Sequence, residues 1–179
     1  MIGWMHRSER GAALLETVVV FPLLLVLAIG AAEFGLAFLD WLTVSNATRD
    51  GARIGSAAGT EPTADAVINA ALAEELLDPD DLISGSIDEV WIFEADINGD
   101  PINPNNPALT NKYVPSGLSF VCSNGCGWGP GSRDTNTPGL DSIGVRVVFS
   151  HGWITNFVPF VGTVQWSDQT VMRFEPENP

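Results

Sequence analysis

Ala12-Ala13-Leu14-Leu15-Glu16-Thr17-Val18-Val19-Val20-Phe21-Pro22-Leu23-Leu24-Leu25-Val26-Leu27 opens an apolar run that continues, with few interruptions, to Val44. A helix over these 33 residues would be roughly 50 Å long, against a bilayer hydrocarbon core of about 30 Å. The lower two-thirds, about residues 12–33, are expected to span a membrane. The upper third must then bury its apolar side against protein. Such a run is far longer than the apolar core of about 7–15 residues in a secretory signal peptide, so it reads as a retained anchor.

Charge orients that anchor. Arg7 and Arg10 stand in a leader over residues 1–11, and the positive-inside tendency places this end in the cytoplasm. The expected location is therefore the cytoplasmic (inner) membrane, crossed once, with an extracytoplasmic head. The chain has 179 residues and a net charge of −14, from 22 acidic and 8 basic side chains. No basic patch is visible for phosphate, which argues against a nucleic-acid partner. About 130 residues remain beyond the anchor, enough for one domain with one core.

The pattern predicts one helix from Ala12 to about Ala58, ending near Gly59, with Pro22 tolerated as membrane helices tolerate proline. Above the membrane, Asn46, Arg49, Asp50 and Arg53 fall on one polar stripe. Ala47, Gly51, Gly55 and Ala58 form a smooth stripe that a sheet or helix can approach closely. A second, short helix is expected over Ala64–Leu77, with Val67, Ala71, Leu72 and Leu76 at helical spacing and a stop at Asp78-Pro79-Asp80-Asp81. Strands are expected at Ile87–Ala95, Leu118–Val121, Ile143–Phe149 and Val164–Phe174. Trp153–Gly162 reads as a short helix or covering loop, and the Glu175–Pro179 tail as solvated. Residues 97–139 read as a loop rich in Pro, Asn and Gly around that second strand. The fold class is α+β: an anchor helix (12–59) continuing into a head (60–179) with a short helix and an antiparallel sheet of about three or four strands.

Cys122 and Cys126 lie in the turn-forming segment Cys122-Ser123-Asn124-Gly125-Cys126. A disulfide is the simplest reading outside the cytoplasm, with free thiols as the alternative. Zinc would want four ligands, and His6 and His151 have no suitable spacing to the cysteines. Asp96, Asn98 and Asp100 resemble part of a calcium loop, yet Gly99 is at the fourth position and Pro107 at the twelfth, so a plain turn is expected. Trp4 lies in the leader and Trp41 fits an outer interface or a head contact. Trp128, on a glycine loop beside the cysteines, is a candidate for surface recognition, with core filling as the alternative for it as for the remaining tryptophans.

Glu16 is the residue that asks for a function. A carboxylate near the start of a membrane helix is costly unless it is paired or close to the interface. If a peptidase cut after Gly11, Ala12 would carry a new α-ammonium, and Glu16 would lie about one helical turn away. In a filament, Glu16 of one protomer could pair with the amine of the next. Glu33 lies about 25 Å higher and reads as a residue of the outer headgroup region, with a specific inter-subunit contact as the alternative. Arg49, Asp50 and Arg53 read as a solvated face, with a docking surface as the alternative.

Arg10-Gly11-Ala12-Ala13-Leu14-Leu15-Glu16, Phe21-Pro22-Leu23-Leu24-Leu25, Ala32-Glu33-Phe34-Gly35 and Asn46–Arg53 together resemble the TadE-like pseudopilins of tight-adherence pili. The end of the chain, Gly144–Phe149 through Pro159 to Thr170–Pro176, is similar to that family's usual ending. Thr17 departs from the aromatic residue usual after the glutamate. The resemblance implies cleavage between Gly11 and Ala12 by a prepilin-type peptidase. It also implies a minor pilin-like role in pilus assembly and surface attachment, beside other pilin-like subunits, the assembly platform and the bilayer. It implies no cofactor.

A second reading is a single-pass membrane protein whose head binds a partner and never polymerises. An enzyme is a third and weaker reading. The sequence lacks Gly-x-Ser-x-Gly, His-Glu-x-x-His and a phosphate-binding glycine loop, so neither a catalytic nor a metal site is expected.

Overall fold

The computed structural model describes residues 6–78, 82–136, 138–155 and 162–176, with side chains from residue 11 onward. Trp4, the acidic stop at Pro79–Asp81, most of the Trp153–Gly162 segment and the end of the tail lie outside the described residues. Helix α1 runs His6–Ala58 and helix α2 Ala64–Leu76. The strands are β1 (Gly85–Glu94), β2 (Thr110–Pro115), β3 (Phe120–Cys122), β4 (Ser142–His151) and β5 (Val164–Arg173). They form a five-stranded antiparallel sheet in the order β3-β2-β1-β4-β5. The architecture is α+β, a long apolar helix leading into a small head.

Helix α1 contains Pro22 and reaches back to His6, because nothing in Ser8-Glu9-Arg10-Gly11 breaks it. It stops where Gly59 takes φ +50°, and the Gly59 N–H donates to the Gly55 carbonyl at 3.2 Å. A left-handed residue just past the last turn is the usual glycine stop. Residues 11–28 are exposed throughout. From Glu33 upward one face is buried, through Ala37, Asp40, Val44, Ala47, Gly51 and Gly55.

That face is small for a reason. A Cβ added at Gly51 would lie 3.2 Å from Leu72 Cδ2 and 3.3 Å from Val145 Cγ1. One at Gly55 would lie 2.6 Å from Ile143 Cδ1 and 3.0 Å from Ile68 Cδ1. Helix α2 and strand β4 therefore meet α1 at its glycines. The buried row of α2 is Ala64, Ile68, Leu72 and Leu76, a strict four-residue spacing. Leu72 and Leu76 belong to it as expected, but Ile68 takes the place assigned to Val67, which is 48 % exposed. The reason is registry with the α1 glycines: Ile68 abuts Gly55 and Leu72 abuts Gly51.

Strand β4 alternates cleanly, burying Ile143, Val145, Val147, Phe149 and His151 against the helices. In β1 a bulge between Ile87 and Glu89 resets the alternation, so Ile87, Val90 and Ile92 all face the core. On the opposite face Phe93 is fully buried, its ring lying where a side chain at Gly144 would be. Nearby, Trp91 sits between its ladder partners Lys112 and Arg146, with Lys112 Nζ 3.9 Å and the Arg146 guanidinium 5.0 Å from the ring centroid.

The stretch 97–139 is more ordered than its composition implies. It contains β2, which brings the sheet to five strands rather than three or four. Its sequence, Thr110-Asn111-Lys112-Tyr113-Val114-Pro115, buries polar Thr110 and Asn111, so it lacks the apolar alternation of a strand. Cys122 and Cys126 are joined by a disulfide at the end of β3. The Asp96 carboxylate is occupied by a turn: Oδ1 accepts the N–H groups of Asn98 (2.8 Å) and Asp100 (2.9 Å). These donors, Asp100 first, hold its pKa below the usual carboxylate value.

Because the closest approach to α1 is at Gly55, Gly55→Leu is expected to destabilise the head by about 1–3 kcal/mol through overpacking. Gly35→Leu, with open space around it, should leave stability nearly unchanged. Thermal unfolding of the two variants in detergent, followed by circular dichroism, checks the contrast.

Candidate assembly and anchoring site

Gly11, Ala12 and Glu16 lie on the exposed lower part of α1, away from the head. Thr17, the next residue, donates its hydroxyl to the Ala13 carbonyl at 2.9 Å, which satisfies it within the helix. This lower part belongs to a stretch, Gly11–Ala58, long and apolar enough to cross a membrane, and its most apolar window makes no contact with the head.

The upper part of α1 carries a second group of acids with a different task. Glu33 is only 6 % exposed and accepts backbone N–H donors from Ile154 (3.1 Å) and Thr155. Seven residues on, Asp40 is 1 % exposed. Its Oδ1 accepts the Ile83 N–H at 2.7 Å, and its Oδ2 meets the Ser84 N–H at 3.4 Å and His151 Nδ1 at 2.7 Å. Ser84 and Gly152 close the gap between the two loops, the Gly152 N–H donating to the Ser84 carbonyl at 3.0 Å and the Ser84 hydroxyl to the Gly152 carbonyl. His151 is fully buried, stacked on Trp166 at 6.1 Å and edge-on to Trp153 at 5.6 Å.

Two turns of one helix thus hold the α2–β1 loop and the end of β4. Buried carboxylates are tolerated only when hydrogen-bonded or paired, and here backbone amides and an imidazole meet that need. Glu33 was expected among lipid headgroups; the structure instead places it under the head. Asp40 escaped the sequence reading altogether. Its signal was present as a second acid seven residues after the first, on the same helix face inside an apolar run. Higher up, Thr48 donates to Asp168 Oδ2 at 3.0 Å and Ser56 to the Arg173 carbonyl at 2.6 Å, fastening β5 to the same helix.

Trp128 corrects a sequence expectation. It is 1 % exposed and packed in the core, so it offers no recognition surface. The Asn111 side chain clamps its backbone at both ends, accepting the Trp128 N–H and donating to its carbonyl, each at 2.9 Å. The Arg133 guanidinium lies 4.6 Å from its ring centroid and is ion-paired with Asp65. Asp65 also accepts from Tyr113 at 3.1 Å; burial first, then this carboxylate, pushes the phenol pKa upward. Gly127 lets this loop pass close to Pro107, whose carbonyl oxygen would lie 3.0 Å from a Cβ there, a contact that composition alone did not reveal.

Among the described residues no group of three or more His, Cys, Asp or Glu side chains could hold a metal ion. The site is one of packing and anchoring.

A family model described as TadE-like protein matches residues 11–53. Residues 11–53 are therefore similar to the TadE-like family. The TadE-like segment begins at the Gly11-Ala12 pair, includes Glu16, Glu33 and Asp40, and ends partway along the smooth stripe. No curated protein matches the chain, and no solved structure does. The TadE-like match and the N-terminal apolar helix together suggest a membrane-anchored, pilin-like protein.

Asp40→Ala would strand the Ile83 and Ser84 amides and His151 without their acceptor, an expected loss of about 3–5 kcal/mol. Hydrogen exchange at Ile83 and Ser84 should accelerate selectively, while amides at the centre of β1 change only with global stability. Protection of Ile83 and Ser84 equal to that of the unmodified protein would contradict this role for Asp40.

Proposed function

We propose that this chain is a minor pilin-like subunit of a tight-adherence pilus or a related secretion machine. The observation that carries the proposal is the coincidence of the TadE-like segment with a helix that is bare below and carries the head above. In this reading a prepilin-type peptidase removes the leader after Gly11. The apolar helix anchors the subunit in the inner membrane, with its N-terminus cytoplasmic and the acidic head outside. It then enters a bundle with other pilin-like subunits at the assembly platform, and the pilus takes part in surface attachment.

Glu16 supplies specificity in that step. Apolar helices gain little by leaving lipid for one another, so a paired carboxylate and close-packing small residues decide register. The ammonium of Ala12 in a neighbouring protomer is the partner whose charge and position fit. Removing Arg7 and Arg10 also removes the charges that hold this end at the cytoplasmic face. The net charge of −14 disfavours unwanted association between heads. The competing reading, a membrane-anchored binding module that does not polymerise, needs neither the cut nor Glu16.

N-terminal sequencing of protein from cells that assemble the pilus is expected to begin at Ala12. Glu16→Ala should still insert and fold but be lost from assembled material, as seen by comparing membrane and sheared fractions. Pili forming normally from protein that still begins at Met1 would refute the processing step.

A further inference from the structure

Between Thr17 and Ser45, helix α1 exposes no charge. The only acids in that interval, Glu33 and Asp40, are turned into the head and buried. The hydroxyl of Thr43, which lies high in the interval, returns to the Leu39 carbonyl at 3.3 Å, just as Thr17 does lower down. Hydroxyls satisfied within the helix suit surroundings where water is scarce. Immediately above, exposed Asn46, Arg49, Asp50 and Arg53 begin a strongly polar surface.

The length of the neutral interval is informative. Its 29 residues span about 43 Å at 1.5 Å per residue. A hydrocarbon core needs only about 30 Å, whereas the full bilayer with its headgroup layers is about 40–45 Å thick. The excess over the hydrocarbon core is aromatic. Phe34 is 66 % and Phe38 55 % exposed, and Leu39 and Leu42 accompany them. Phe34 meets Trp153 edge-on at 5.6 Å, and Phe38 stacks on Trp41 at 5.5 Å. Ile154, whose amide Glu33 holds, adds a further exposed apolar side chain beside them. Rings of this kind favour the headgroup level of a bilayer.

We propose that this foot of the head, from Phe34 to Leu42 together with Ile154, is seated in the outer headgroup layer of the anchor's own bilayer. The occupant of the exposed aromatic face is the lipid interface. Glu33 and Asp40 make this geometry workable, because their burial keeps both side chains off the lipid-facing surface. The hydrocarbon span then ends near Phe34, and Glu16, about 27 Å below it at 1.5 Å per residue, falls near the opposite interface. The proposal rests on reading α1 as a membrane anchor, but not on cleavage after Gly11 or on pairing by Glu16.

The test uses the full chain in nanodiscs of phosphatidylcholine and phosphatidylglycerol. Because Cys122 and Cys126 are bonded to each other, a single introduced cysteine can carry a spin label. Labels go at Leu24, Phe38, Leu42 and, as a head control, exposed Val67. Circular dichroism melts establish that each labelled protein keeps its fold. Relative accessibility to oxygen over a water-soluble nickel chelate should be highest at Leu24, intermediate at Phe38 and Leu42, and lowest at Val67, with a several-fold step between the last two groups. Water-like values at Phe38 and Leu42 overturn the proposal, and so does shielding from both reagents, which a second copy packed on this face would cause. A water-like value at Leu24 overturns the anchor reading itself, so the two failures are distinguishable. As an independent measure, lipids brominated close to the headgroup should quench the wild-type tryptophan emission more than that of Trp41→Phe. Equal quenched fractions also count against the proposal.

Discussion

Burial of two carboxylates on one face of α1 is the constraint on which the rest of the head depends. Carboxylates such as Glu33 and Asp40 are costly to bury unless hydrogen-bond donors reach them. The loops containing Ile83 and Ser84, and Ile154 and Thr155, do so. Each loop lies at one end of a strand next to the core, so fixing the loops also fixes β1 and β4 against the helix. The same hydrogen bonds tie the head to a helix that continues unbroken from its exposed lower part into the core.

Above these acids the fastening changes character. Side-chain size replaces charge, and Gly51 and Gly55 let Leu72, Val145, Ile68 and Ile143 approach the helix backbone. Helix α1 thus serves two environments with two devices. Polar contacts work where the head begins and little apolar area is available. Close packing works where the sheet and α2 enclose the helix.

Much of this was legible in the sequence because the signals were periodic. The apolar run foretold the long helix α1, the alternation of Ile143, Val145, Val147 and Phe149 foretold β4, and the smooth stripe of Ala47, Gly51 and Gly55 foretold the packing face. What stayed hidden was polar and non-local. Strand β2 owes its place to Asn111 and Tyr113 reaching Asp65 and Trp128, contacts that no period announces. Trp128 looked exposed because its neighbours are glycines, yet Asn111 holds its backbone and the residue is buried. Glu33 looked like a headgroup residue because its partners are backbone amides more than 120 residues away. Of the acids on α1, Glu16 was conspicuous by chemistry alone, whereas Asp40 needed the fold to give it meaning.

The three-residue length of β3 has a wider consequence. It forms one border of the sheet, and its last residue is tied back through Cys122–Cys126. A rim so brief offers a foreign strand too few amides and carbonyls to template on. Crowded heads are thereby discouraged from fusing rim to rim at that border into cross-β aggregates.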